Sequence, residues 1–381
     1  MSKTPDSILQ VCYGYQSPLA DCAGQYARLF RGTPYKVVTV QLKGPPDEKA
    51  EREMDSDEVI FLGYKQSEIS NLKLRAIRDV RRIAASRDFA FCIAHLHQSI
   101  YTALFATRLM VIGVNHDFRE YRRFFRRLYT NVFKKRLRLL GVSDAVRDSI
   151  RAALPRWSHD HIETLHNRMD LAAAQATLLP RESARALLGL PPQGWIVGCA
   201  GRLHPEKDHP VLIRAFAAAL PALPAGSMLA IMGSGREEEA LKALAQALGI
   251  QNAVRFLGQV DDGKRYFKAF DIFVLASERE PFGMVFLEAM AAHLPVVCSD
   301  RGGGREVVEG IGDLFPAGDI DALAQTLIRH SISCLAEDYA TRAEAHMRQK
   351  FSDEVAATSF WRLPMMAAYS PSSMAREGNV G

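Results

Sequence analysis

The six cysteines of this 381-residue chain, at positions 12, 22, 92, 199, 298 and 334, form no CxxC pair. Four of them, Cys12, Cys92, Cys199 and Cys298, sit inside apolar, strand-like runs. That pattern reads as buried reduced thiols and excludes a Cys-based zinc site and a disulfide framework. Long uncharged runs are equally scarce. The longest, Ala215 to Gly235, is interrupted by Pro221, Pro224 and Gly226, so it reads as helix, turn and buried strand, and excludes one spanning helix. Met1 to Ser7 is polar and lacks the apolar core of a secretory signal, from which we expect a cytoplasmic location. Net charge is small, +5 from 48 Lys and Arg against 43 Asp and Glu, so any functional charge must come from local clustering.

What the chain has is length enough for two hydrophobic cores and a regular alternation of short β-rich runs with helical stretches. Such alternation predicts parallel sheets covered by helices on both faces. Strands are predicted at 8–13, 37–42, 59–62, 90–94, 111–114, 139–142 and 162–165, and again at 195–200, 228–232, 254–257, 272–275, 296–298 and 313–315. Each half therefore reads as a doubly wound α/β sheet. Between them, Leu171 to Gly194 carries Pro180, Pro191 and Pro192 and reads as a hinge followed by one short helix. Ligands of doubly wound sheets bind beyond the carboxyl ends of the strands, which confines the search for chemistry to a few loops.

The richest of these is Glu280-Pro281-Phe282-Gly283-Met284-Val285-Phe286-Leu287-Glu288. Gly283 lets a ligand approach the backbone, the start of the helix running to Ala292 offers amide donors, and carboxylates can accept hydrogen bonds from sugar or ribose hydroxyls. After the strand ending at Ala200 comes Gly201-Arg202-Leu203-His204-Pro205-Glu206-Lys207, whose two cations suit a diphosphate. Gly233-Ser234-Gly235 follows a third strand and opens a helix from Glu237 to Leu248. It lacks the third glycine of a dinucleotide fingerprint and is weak alone.

Taken in order, GRL-x3-K, MGSG, VRFLG, E-x7-E with PFG inside, and GGGREVV resemble the family-four retaining glycosyltransferases of the GT-B fold, over nearly the whole chain. The resemblance implies two Rossmann-like domains, 1–172 and 173–350, facing a deep interdomain cleft, a C-terminal helix over 351–369 that crosses back to the first domain, and a mobile tail over 370–381. It gives Arg202 and Lys207 to the donor diphosphate, Glu280 to the transferred sugar and Glu288 to the ribose. Backbone groups from Phe282 through Gly283 and Met284 to Val285 would hold sugar hydroxyls and the distal phosphate, and Phe256 and Leu257 would line the base pocket beside Gly201, Gly233 and Gly235. It also places His116 beside the donor sugar, with His97 a lesser candidate. No metal or other cofactor is implied. Two departures stand out: Arg305 where proline is common, and Asn167-Arg168 where Asn-Gly is frequent. The first is expected to be harmless, the second to alter the hinge.

Several of these residues also admit a structural reading. Glu280 and Glu288 taken singly would serve as helix-start carboxylates, and His116 as a strand-end residue. His95 and His97 have no thiol or carboxylate beside them in the sequence, and are not expected to form a metal pair. Asp55-Ser56-Asp57 resembles a metal-binding acid pair but lies in a charged loop that reads as a solvated turn. From Arg119 to Arg138 nine Lys or Arg stand against the single acid Glu120, interleaved with aromatic residues. This reads as a basic amphipathic helix for an anionic membrane or a phosphorylated glycolipid, or as a solvated face. No nucleic-acid module accompanies it.

The expected function is transfer of a hexose from a nucleotide diphosphate sugar, first of all a UDP-sugar, to a lipid-linked or lipopolysaccharide-core glycan, at the inner face of the cytoplasmic membrane. The alternatives are a sugar-nucleotide epimerase on the same scaffold and a non-catalytic glycan-binding protein.

Overall fold

The computed structural model describes residues 5–15, 19–69, 73–332 and 338–371. The chain divides into two compact units, Met1–Arg168 with Asp353–Gly381, and Met169–Ser352.

In the first unit, seven strands pair in the order β3-β2-β1-β4-β5-β6-β7. They are β1 Ser7–Cys12, β2 Lys36–Lys43, β3 Glu58–Tyr64, β4 Phe89–His95, β5 Val111–Asn115, β6 Leu137–Gly141 and β7 Ile162–Thr164. In the second, six strands run β10-β9-β8-β11-β12-β13, with β8 Ile196–Ala200, β9 Met228–Met232, β10 Val254–Gly258, β11 Ile272–Leu275, β12 Val296–Ser299 and β13 Asp313–Phe315. Neighbours are parallel throughout both sheets. Each strand read from the sequence is present with its ends moved by no more than two residues. The central strands are apolar without alternation because helices cover both faces, and β1, β8 and β11 are buried along their whole length.

Both sheets reverse direction once. β1 is followed outward by β2 and β3, after which the chain returns to β4 on its other side; β8, β9, β10 and then β11 repeat the pattern. The loops beyond β1 and β4, and beyond β8 and β11, therefore diverge at a topological switch point, where such sheets open a crevice for ligands.

Local chemistry sets the helix ends. Asp47, Ser143 and Asp170 each accept a hydrogen bond from an amide in the first turn of the helix they precede, at 2.8, 3.1 and 2.9 Å. The segment after the first unit holds two short helices, Leu171–Thr177 and Arg181–Leu187, where the sequence reading had one. Arg185 explains the order there. Its buried guanidinium donates to the carbonyls of Pro191, Pro192 and Gly194 and to Asp271, so the proline-rich stretch is pinned down. The apolar stretch at 215–235 resolves into the end of a helix over His209–Ala219, a turn and β9. No helix among the described residues is long and apolar enough to cross a membrane.

A helix over Asp353–Arg362 belongs to the first unit. Phe360 and Trp361 meet Phe30 edge-on at 5.8 and 5.6 Å, and Trp361 stacks on Tyr35. Asn167-Arg168, expected to change the hinge, builds this same junction: the buried Arg168 donates to Asp353 at 2.6 Å and to the carbonyl of Gln25, while its own amide is held by the Gln25 side chain at 2.9 Å. Cys12, Cys22, Cys92, Cys199 and Cys298 are buried free thiols; Cys334 and residues 372–381 of the supposed tail lie outside the described residues.

The basic stretch is not one helix. The helix covers only Phe124–Val132, and the C-terminal end of the stretch, Leu137 and Arg138, belongs to β6. Helical spacing of aromatics continued in the sequence past the point where the chain turns, at Phe133 to Arg136, and enters the sheet. Asp55-Ser56-Asp57 is a structural turn, with Asp55 capping a helix and paired to Arg31 at 2.5 Å, and Asp57 accepting from the Val37 amide.

Candidate active site

In the second unit the loops beyond β8, β9 and β10 are stitched backbone to backbone. The Gly201 amide donates to the Met232 carbonyl, Leu203 to Ser234, and Gly233 to Gly258, at 2.9, 3.0 and 2.7 Å. Contact this close requires glycine. A Cβ on Gly233, whose φ is +136°, would lie 1.9 Å from the Gly201 oxygen, and one on Gly235 would lie 2.3 Å from the Leu203 oxygen. The Gly-x-Gly pair is thus explained by loop packing, whatever else its amides do. On the β10 side, Phe256 and Leu257 are half-buried at the end of the strand.

This stitching fixes the loop that carries the cations. A single turn over Pro205–Lys207 ends at Asp208, in the left-handed conformation, and the helix over His209–Ala219 follows. Lys207 reaches from the end of β8 to Glu280, which comes five residues after β11, and their Nζ and Oε2 atoms are 2.5 Å apart. The pair spans the switch point of the sheet. Glu280 is buried, 6% exposed; a carboxylate so placed is stable only if paired.

The backbone of Glu280 is held as firmly as its side chain. Its carbonyl accepts from the Gly303 amide at 2.7 Å, and a Cβ on Gly302, at φ +70°, would come within 2.7 Å of the same oxygen. Gly302 to Gly304 thus form the bed on which Glu280 rests, a role the sequence signalled only through the consecutive glycines of GGGREVV. Cys199 and Cys298 flank the pair, and burial pushes the Cys199 thiol up to about 12 and that of Cys298 further, so neither is a nucleophile at neutral pH.

Beyond Glu280, Gly283 takes φ +90° and leads into the helix Met284–Ala291. Phe282 and Phe286 turn into the core, while Met284, Val285 and Glu288 are half-buried on the outer side, Met284 and Glu288 one turn apart. Arg202 is exposed and makes no ion pair among the described residues. The structure thus joins Lys207 to Glu280 and leaves Arg202 on the same loop without drawing it to either.

His209, not singled out from the sequence, is buried with both ring nitrogens lacking a hydrogen-bond partner. Burial, reinforced by Lys207, lowers its pKa to about 4.

The first unit holds the histidines. His95 ends β4 and His116 follows β5; their rings are stacked at 5.7 Å, with Nδ1 of His95 3.4 Å from Nε2 of His116. On its other side His95 meets Gln10 at 3.4 Å. Burial, then proximity to His116, pushes His95 well below the ordinary histidine range, and burial takes half-buried His116 to about 4 against the opposing pull of Glu120. Both are neutral at physiological pH. His97 stands apart from them, on the helix Leu96–Ala106 and 3.1 Å from Glu120. Gln10, a fully buried amide in an otherwise apolar strand, was the sequence signal for this network.

Residues 180–343 match the family model for glycosyl transferases group 1. A lipopolysaccharide core biosynthesis mannosyltransferase of Rhizobium leguminosarum is 31% identical over 225 residues, 56% of this chain and 62% of the relative. A GDP-mannose-dependent monoacylated phosphatidylinositol monomannoside mannosyltransferase of Corynebacterium glutamicum is 31% identical over 215 residues, 52% and 54%. The chain therefore spans less than two thirds of the curated relatives it matches. Among solved structures, that of Anabaena Alr3699/HepE in complex with UDP superimposes with a TM-score of 0.73 at 22% identity, covering 93% of this chain and 98% of that one. The fold is that of GT-B glycosyltransferases, two Rossmann-like parallel-sheet domains.

Proposed function

Because residues 180–343 form a domain of the glycosyl transferases group 1 family, we propose that the protein transfers a hexose from a nucleotide diphosphate sugar to a lipid-linked or lipopolysaccharide-core glycan, with retention at the anomeric carbon and without a metal. One observation carries the reading: a lysine and a buried glutamate from the two loops of the switch point meet at 2.5 Å. A cation there suits the departing diphosphate, and a fixed carboxylate suits sugar hydroxyls.

In this reading Lys207 exchanges its partner when the donor enters. Its ammonium turns to the diphosphate, Arg202 closes on the same group from the exposed side of the loop, and the Glu280 carboxylate accepts from a hydroxyl of the hexose. The bond between the anomeric carbon and the phosphate oxygen breaks with its electron pair going to the diphosphate. The acceptor oxygen then bonds to that carbon from the same face, and its proton passes to the departing phosphate oxygen. The neutral His116 can act as donor or acceptor to the sugar without adding charge, and Glu288 would accept from the ribose.

For the donor, mannose is the first candidate, since both curated relatives reported above bear mannosyltransferase names. The base is the open arm: one relative is named for GDP-mannose, while a structure of the same fold holds UDP. The test is incubation with GDP-mannose and with UDP-hexoses, each with and without a glycolipid acceptor, followed by mass and linkage analysis. A new α-glycoside formed only with acceptor supports transfer. An epimerised donor without acceptor would replace this reading with an epimerase, and donor binding without any product would leave a glycan-binding protein.

A further inference from the structure

The helix Phe124–Val132 is turned the wrong way for a surface helix of a soluble domain. At about 100° per residue, Phe124, Phe125, Leu128 and Val132 fall within an arc of roughly 100°, the width of a core-facing stripe. Here that stripe points outward, and the four side chains are 64, 77, 50 and 68% exposed. The inward side is held by other means: Thr130 is buried, Tyr129 meets Tyr101 edge-on at 5.5 Å, and Arg126 pairs with the buried Glu120 at 2.9 Å.

Two further exposed apolar residues join this face from elsewhere in the sequence. Tyr101 links the three helices: its ring packs on Phe105 at 4.6 Å, and the ammonium of Lys73, at the start of the helix Leu74–Ala85, lies over it at 5.3 Å. Phe105 in turn meets Phe133. Leu74, which follows Lys73, is 70% exposed and Phe105 40%. Six of the eight large apolar side chains exposed among the described residues therefore gather where three helices meet.

Charge identifies the occupant. Arg122, Arg123, Arg127, Lys134 and Lys135 are exposed around the Phe124–Val132 helix, and the structure gives them no ion pair among the described residues. On the neighbouring helix Arg75 pairs with Glu68 and Arg78 and Arg82 with Asp79, while Arg81 donates to the Phe105 carbonyl at 3.0 Å. An apolar stripe bordered by unpaired cations fits a surface that is hydrocarbon below and anionic above.

The geometry points to a composite membrane-docking face, built by Leu74, Phe105 and the Phe124–Val132 helix, that inserts its apolar side chains into an anionic lipid bilayer. The inference rests on the first unit alone and does not need the transferase reading.

Flotation of the full chain with neutral phosphatidylcholine vesicles, and with the same vesicles carrying phosphatidylglycerol, tests it. Binding is expected only to the anionic vesicles and to weaken with salt. Each cation near such a surface contributes roughly fivefold to partitioning, so the loss of three lowers binding by about a hundredfold, and R122E/R123E/R127E, which also adds three anions, should lower it by more than that. F124S/F125S should lower it at least tenfold, and L128W should acquire fluorescence quenched by lipids brominated in the acyl chain. The paired control L187S/I332S, altering the other two exposed apolar residues, should change nothing. The inference is overturned by absence of binding, by equal binding to neutral vesicles, by indifference to the charge reversal, by loss in the control, or by an L128W emission that lipid does not quench. These variants alter exposed side chains, and unchanged melting curves will separate lost docking from lost folding. Transfer to a soluble acceptor should persist in all of them, so failure here leaves the donor site untouched.

Discussion

Replacing Lys207 with methionine keeps most of the length of the side chain and removes its charge, leaving Glu280 as a buried carboxylate without its lysine. Breaking a buried pair from one side costs about 3–5 kcal/mol, because the remaining charge loses both its partner and water. The lysine side chain is 19% exposed and that of the glutamate 8%, so the lower end applies, about 3 kcal/mol. For a domain of this size about 2–4 °C accompanies each kcal/mol, which predicts a fall in melting temperature of roughly 6–12 °C for the second unit. Calorimetry on K207M, E280Q and the double variant gives the coupling directly. K207M should be the least stable, and K207M/E280Q should recover most of the loss because no charge is left stranded. E280Q alone should also bind UDP or GDP more tightly than the native protein, since Lys207 no longer has to leave a carboxylate to reach the diphosphate. A K207M protein that melts within about 1 °C of native would refute the buried-pair reasoning, and weaker nucleotide binding by E280Q would refute the exchange of partners.

Two further outcomes follow from buried polar groups. His209 is held at a pKa of about 4, below the ordinary 6.5; the unfolded chain therefore takes up a proton that the native state refuses, and stability is undiminished above pH 6.5 and falls as the pH drops from there towards 4. Urea unfolding should show H209L gaining on native by about 2 kcal/mol more at pH 5 than at pH 8, and a gain independent of pH would contradict it. Replacing Arg168 with alanine strands the Gln25 carbonyl and leaves Asp353 with Arg28 as its remaining cation in the first unit, and should cost about 1–3 kcal/mol; hydrogen exchange slowed as in native over the helix Asp353–Arg362 would contradict it.

The fold is legible in the sequence where one physical constraint dominates. Strands buried on both faces must be short and continuously apolar, so β8 and β11 could be bounded almost to the residue, and parallel topology then placed Arg202, Lys207 and Glu280 at carboxyl ends. Contacts between distant loops were less accessible. Nothing in the spacing of Lys207 and Glu280 says that a side chain bridges seventy-three positions, and the glycines at 233 and 235 looked like ligand cradles when each also makes room for a neighbouring loop. Arg185 was unreadable as a buried residue because its partners are mainly backbone carbonyls, which every sequence has, and Arg168 because its carboxylate partner, Asp353, lies far along the chain. The basic stretch misled for a different reason. Apolar residues keep helical spacing beyond Val132, but the chain turns at Phe133 to Arg136 and enters β6, so one helix over the whole stretch was too long.

The most direct test of the account is the shift in melting temperature that UDP and GDP produce in the native protein and in R202A. Arg202 is exposed and pairs with nothing among the described residues, so R202A should melt as native does in the absence of nucleotide. A ligand held at a hundred times its Kd stabilises by about 2.7 kcal/mol, and at the same concentration R202A should lose most of that shift for whichever nucleotide the native protein binds. An R202A protein stabilised by nucleotide as strongly as native would show that the diphosphate is not held at the end of β8.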